Sequence, residues 1–284
     1  MTIALGILGG KSDNMVLAAD TEITAEPYKG EGFKIPFWFE GENGQVTGGL
    51  ALTGAGDSAY LEVIASELSR AFSVNRHASM DQLENLFRHH LQTFYKNHII
   101  PFLKLPSHER PEIWLIIAAQ RDGQSRMWKT ERNTIIRVHN FAVAGLGRLQ
   151  AESLLGTFYL PEVLLEIDEI IAAYVVFQVK TTVGYTGQDT DLIAFGGQGP
   201  RMGFDREAVR AFEEVFRSFS TVQGRLLHSV FGNIDCSQES VINRIAEMRE
   251  AFDTALFKHA SGNVSREVLS RTRWAKRERS DPLP

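Results

Sequence analysis

At 284 residues, with 43% hydrophobic and 23% charged side chains, the chain has the composition of a globular protein with room for a sizeable core. A net charge of −5 offers nucleic acid no electrostatic handle as a main partner, and no apolar run approaches the roughly 20 residues of a membrane span. The single cysteine, Cys236, excludes an internal disulfide, and Met1 leads straight into a strand-like segment without a signal-peptide layout, so a cytoplasmic location is expected.

Residues 2–8 and 15–21 are apolar and β-rich around Gly9-Gly10-Lys11-Ser12-Asp13-Asn14, and they read as a hairpin. A second strand pair is expected near Lys34–Phe39 and Gly49–Thr53, with Glu40–Gly48 as a polar loop. Leu61, Ile64, Ala65, Leu68 and Phe72 recur at helical spacing. A longer helix follows, with Ser79 as its cap and Leu83, Leu86, Phe87, Leu91, Phe94 and Tyr95 on its apolar face.

Ile113–Gln120 is a continuous apolar run, the signature of a covered central strand, and Arg126–Thr130 and Ile135–Ala144 extend that antiparallel group. Helices are expected over Gln150–Phe158 and Glu162–Lys180, the second with Pro161 in its first turn. Thr186–Phe195 returns to strand. Antiparallel sheets alternating with pairs of helices predict an α+β fold, a four-layer αββα sandwich, over residues 1–199. Residues 200–284 form a C-terminal extension. It carries two amphipathic helices, at 205–223 and 238–259, and a charged tail from Ser265. The apolar stripe Phe212, Val215, Phe216 and Phe219 needs cover: it packs on the parent domain, or else serves as a subunit contact or a lid that selects substrates.

The chemistry starts at the second residue. Threonine is small enough for methionine removal, which would leave Thr2 with a free α-amine beside its hydroxyl. An amine that takes the proton as the hydroxyl attacks a carbonyl is the minimal kit of an N-terminal nucleophile. Asp20 ends the second strand and Lys34 stands alone after it; alternatively they are a turn residue and an edge-strand charge.

Several blocks together resemble the proteasome-type branch of the N-terminal nucleophile hydrolases. They are Thr2-Ile3-Ala4-Leu5-Gly6-Ile7, Val16 to Thr24, Lys34-Ile35, Thr53-Gly54-Ala55-Gly56-Asp57, Ala144-Gly145-Leu146-Gly147 and Tyr185-Thr186-Gly187. The resemblance covers about residues 2–197 and implies an αββα fold, peptide-bond hydrolysis by an N-terminal threonine, and homo-oligomers that include rings. Carried over by position, it makes Thr2 the nucleophile, its amine the base, and Lys34 the charge beside the hydroxyl. Asp20 becomes the partner that fixes Lys34, the Gly54 N–H an oxyanion donor, and Thr186 a supporting hydroxyl. Thr24 and Ala55 line the strand that binds substrate. The segment before Asp20 is longer than in the family; two extra residues place Thr2 on the nucleophile position and three place Met1 there. The first keeps the cross-strand register.

The implied substrate is a peptide or unfolded protein, with no cofactor and no metal; a regulatory ATPase is left open. Two departures point the other way, since Leu146 and Val183 stand where the family has a catalytic serine and an aspartate. A degenerate scaffold or gating subunit is therefore the alternative, with a transpeptidase or a small-molecule amidase using the same site as further options.

Other features read plainly. Gly6 to Ser12 is one residue short of a phosphate loop, and a strand follows where a helix is required. His89, His90 and His98 lack the spacing and companions of a metal site. Cys236 has no evident base nearby. The basic tail Arg271, Arg273, Lys276, Arg277 and Arg279 is diluted by Glu267, Glu278 and Asp281, which suits a solvated tail rather than a nucleic-acid arm.

Overall fold

The computed structural model describes residues 3–9, 14–25, 28–31, 34–42, 45–106, 110–161, 163–184, 186–196, 199–231, 243 and 245–254. Thr2, Tyr185, Cys236 and the tail from Ser265 lie outside them. The chain divides into two compact units, Met1–Val209 and Arg210–Pro284.

In the first unit, β1 (Ile3–Leu8) and β2 (Met15–Asp20) form the expected antiparallel hairpin. Strand β10 (Phe141–Gly145) flanks β1, while β11 (Thr190–Gly196) and then β12 (Gly199–Met202) extend from β2, giving the order β10-β1-β2-β11-β12. The second sheet runs β5 (Phe37–Glu42), β6 (Gln45–Gly56), β7 (Ile113–Arg121), β8 (Gln124–Glu131), β9 (Thr134–Arg137). Both sheets are antiparallel throughout. A separate two-stranded ribbon joins β3 (Glu22–Ala25) to β4 (Tyr28–Glu31).

The layers follow from which faces are apolar. Ala4, Met15, Leu17 and Ala19 from one sheet meet Ala51, Ile116, Ala118 and Met127 from the other in a buried seam. Small residues keep that seam thin: a Cβ on Gly6 would fall 2.7 Å from Met127 Sδ. Helices α1 (Ser58–Val74) and α2 (Met80–Phe94) cover the outer face of the second sheet. Helices α3 (Arg148–Phe158) and α4 (Leu165–Thr182) cover the first. The result is the four-layer αββα sandwich. Ser79 caps α2 in a reciprocal box with Gln82. Leu83, Phe87, Leu91 and Phe94 are buried beneath it, worth about 1.5–3 kcal/mol each. The Phe87 ring stands edge-on to Trp128 at 5.8 Å.

Helix α5 runs over Arg206–Phe231. Within the second unit the Phe212 ring, fully buried, lies 5.4 Å from that of Phe252 in the helical segment 245–254. Part of the Phe212 stripe is thus covered by that segment.

The structure corrects the sequence reading at five places. Ile135–Ala144 is two strands in different sheets. Val138 donates to the Met127 carbonyl while the Asn140 carbonyl accepts from Leu8, so the chain hands over from one sheet to the other there. Glu40–Gly48 is mostly strand, with an irregularity between Glu40 and Gly41. Helix α4 begins at Leu165, four residues past Pro161, and its first turn carries Glu166 and Asp168. Strand β11 starts only at Thr190, because the N–H groups of Gly187 and Asp189 bond side chains of Asp20 and Thr21 instead of a ladder. The strand read through to Thr24 breaks at Thr21 into β2 and β3, and strands β4 and β12 were not anticipated.

A polar residue inside β5 survives because it is paired. Glu40 takes two nitrogens of Arg121, which is 4% exposed. The same guanidinium donates to the carbonyls of Phe72, Asn75 and Ala78 and lies 4.2 Å over the Phe72 ring. Burial raises the Glu40 pKa and Arg121 opposes that rise. Arg121→Met should cost about 3–5 kcal/mol in chemical denaturation, because it strands a carboxylate and three carbonyls.

Candidate functional site

The end of β2 presents Asp20, whose side chain is fully buried. Its Oδ1 accepts the Ile3 N–H at 3.1 Å and the Lys34 ammonium at 3.1 Å, and its Oδ2 accepts the Gly187 N–H at 3.2 Å. One carboxylate therefore ties together the start of β1, the segment entering β5 and the loop before β11. That loop is clamped further, since Thr21 exchanges bonds with Asp189 and Lys180 donates to Gln188 and Thr190.

Lys34 is not an edge-strand charge. Its side chain is 14% exposed, and its ammonium also donates to the Glu22 carbonyl. Burial lowers the Lys34 pKa, opposed by the charges of Asp20, Glu22 and Asp191. A desolvated cation held by a buried carboxylate is a fixed positive charge, suited to stabilising negative charge that develops beside it.

Strand β6 supplies the second element. Leu52 donates to the Pro36 carbonyl, and the alternation of a strand puts the Gly54 N–H on that same edge. The β5 ladder begins at Phe37 opposite Ala51, so beyond Leu52 no strand among the described residues pairs with this edge of β6. A Cβ on Gly54 would fall 2.2 Å from the Trp114 carbonyl oxygen, so the β6–β7 approach itself demands glycine. Ala55 is buried in the seam between the sheets. The neighbouring Thr53 hydroxyl is buried without a hydrogen bond among the described residues.

The remaining predicted residues are placed differently. Thr186 is buried, but its hydroxyl donates to the Val183 carbonyl at 2.8 Å, closing the end of α4. Val183 is the half-buried C-cap of that helix. Leu146 is 51% exposed. The second glycine beside it has a packing reason of its own: a Cβ on Gly147 would fall 2.1 Å from Val179 Cγ1, where α3 meets α4. Thr24 lies in β3, opposite Lys29.

Two contributors were missed in the sequence. The Gly187 N–H holds Asp20, and Glu22 accepts from Lys34 through its backbone while its buried carboxylate adds to the local charge. A second acid two residues after Asp20, on the same face by strand period, was the available signal for Glu22. No group of three His, Cys, Asp or Glu among the described residues could hold a metal ion. His90 instead approaches Glu67 at 4.0 Å, and His98 packs on Phe94 and Tyr60. No helix among the described residues is long and apolar enough to cross a membrane.

No protein-family model matches the chain, and no curated protein does. Solved structures do resemble it. Anbu from Hyphomicrobium sp. strain MC1 is 14% identical with a TM-score of 0.61, over 84% of this chain and 100% of its own. Anbu from Yersinia bercovieri, described as an ancestral beta-subunit, is 12% identical at a TM-score of 0.61 with the same coverage. The Anbu complex of Pseudomonas aeruginosa, solved as a helical assembly, is 13% identical at 0.64 over 80% of this chain and 96% of its own. What these structures share with the chain is the fold: the αββα sandwich described above is an Anbu-like one.

Proposed function

We propose that the protein is a proteasome-like N-terminal threonine peptidase, active after removal of Met1. The observation that carries this reading is the shared Asp20 oxygen, which holds the Ile3 N–H and the Lys34 ammonium at 3.1 Å each. Residue 2 is one peptide bond from that N–H, so connectivity tethers its amine and hydroxyl within a residue's reach of a desolvated lysine. In the reaction the Thr2 hydroxyl attacks a peptide carbonyl and its own amine takes the proton. The Gly54 N–H donates to the oxyanion, the amine returns the proton to the leaving nitrogen, and water opens the resulting ester. An amine in place of water would make the same site a transpeptidase.

A second reading, a non-catalytic scaffold subunit, draws support from Leu146, Val183 and the Thr186 hydroxyl, which closes α4 rather than facing Asp20. Intact mass decides between them. The peptidase loses Met1 and gains one adduct from an epoxyketone, and Thr2→Ala abolishes the adduct and peptide turnover without lowering Tm. Retained methionine with no adduct supports the scaffold, and Thr2→Ala turning over at the parent rate refutes the peptidase. The fold shared with a protein solved as a helical assembly supports a homo-oligomer, which light scattering tests.

A further inference from the structure

At the same end of the sandwich a cleft of about 190 Å³ opens between the two sheets. It is lined by Trp114 and Leu115 of β7, Lys129 to Glu131 of β8, Val143 and Ala144 of β10, and the arginines Arg132 and Arg148. Its position relative to the site follows from register. Leu115 is the cross-strand partner of Gly54, and Ala144 pairs with Ala4, one residue beyond Ile3.

The charge of this cleft is one-sided. Three cations line it with a single carboxylate, that of the exposed Glu131, which lies 3.2 Å from the half-buried Lys129. Arg148 also pairs with Glu152 at 3.0 Å, while Arg132 has no ion pair among the described residues. Arg132 is also held at a φ of 53°, a conformation that asparagine or glycine adopts at less cost. The N-terminus of α3 adds a fourth source of positive potential: its N-cap is Gly147, with no side-chain cap and no acid in the first turn. The apolar walls Trp114 and Val143 lower the local dielectric and strengthen each of these effects.

We propose that this cleft binds a carboxylate of a peptide on the far side of the reacting bond. The side rests on the peptidase reading, with the acyl portion taken to lie on the β6 edge at Gly54 and the leaving portion on the side of β7, β8 and β10. The carboxylate site itself does not depend on that reading. The carboxylate belongs either to an acidic side chain near the bond or to a free C-terminus.

The two sources and the site are tested by binding, on full-length protein carrying Thr2→Ala so that turnover is irrelevant. Calorimetric titrations compare three N-acetylated alanine pentapeptides: one with a central glutamate and an amidated end, its glutamine counterpart, and an all-alanine peptide with a free C-terminus. The glutamate or the free-acid peptide should bind at least tenfold more tightly than the glutamine peptide, and whichever does identifies the source. Arg132→Glu, in an exposed turn, and Lys129→Met should each cut that preference to about twofold or less, with circular dichroism confirming the fold. Equal binding of all three peptides, or a preference that both substitutions leave intact, overturns the proposal. Neither result bears on whether Thr2 is a nucleophile, which the adduct experiment decides separately.

Discussion

Lys34→Met should lower kcat/KM for peptide hydrolysis by roughly 10²–10⁴, the range expected for a positioned group that assists proton transfer and charge development. Methionine preserves most of the buried volume, and Asp20 keeps the Ile3 and Gly187 N–H donors. The fold therefore persists while the fixed charge disappears. The pH profile gives an independent readout. The parent rate rises as a free α-amine loses its proton, near pH 7.7–8.0 for an unperturbed amine. It falls again as Lys34 deprotonates, at a pH below its ordinary 10.5 because burial disfavours the ammonium. In the variant the falling limb vanishes. A variant that keeps both the parent rate and the bell-shaped profile would take Lys34 out of the chemistry.

Asp168→Asn should stabilise the protein at alkaline pH. Asp168 sits in the first turn of α4, is 1% exposed, and neither carboxylate oxygen has a hydrogen bond among the described residues. Burial raises its pKa from 3.8 to about 7. Next to it Glu169 is fully buried, 3.1 Å from Arg201, and burial raises it to about 7 against the pull of that arginine. A carboxyl whose folded pKa lies above its unfolded one binds more protons folded than unfolded. Its contribution is complete below about pH 4 and is lost as pH climbs to about 7. At 1.36 kcal/mol per pKa unit, the Asp168 penalty at pH 8 is a few kcal/mol. Thermal unfolding of parent and variant should therefore diverge at pH 8, with the variant higher, and converge only at about pH 4 and below. Equal Tm values at pH 8 would show that Asp168 is solvated or paired in solution.

Periodicity made most elements legible because burial at a regular spacing is a local property. The stripe Leu83, Phe87, Leu91, Phe94 and the cap Ser79 fixed α2, and the apolar run at Ile113 fixed the central strand β7. Non-local pairing was not legible. Nothing around Val138 announces that the chain leaves one sheet for the other, since the bonds that decide it reach Met127 and Leu8 far away in sequence. Thr186–Asp189 read as strand for the same reason, because the groups that take its N–H donors lie on β2 and the residue after it.

The site divides along the same line. The family resemblance of the sequence blocks, carried over by position, singled out Asp20, Lys34 and Gly54. Sequence alone cannot say that Lys34 is buried, that its ammonium also donates to the Glu22 carbonyl, that the Gly187 N–H donates to Asp20, or that the Thr186 hydroxyl turns toward α4. Which faces are apolar is written residue by residue along the chain. Which donors meet which acceptors, and how dry that meeting place is, depends on segments more than a hundred residues apart being brought within 3 Å or so, and only the packed sheets do that.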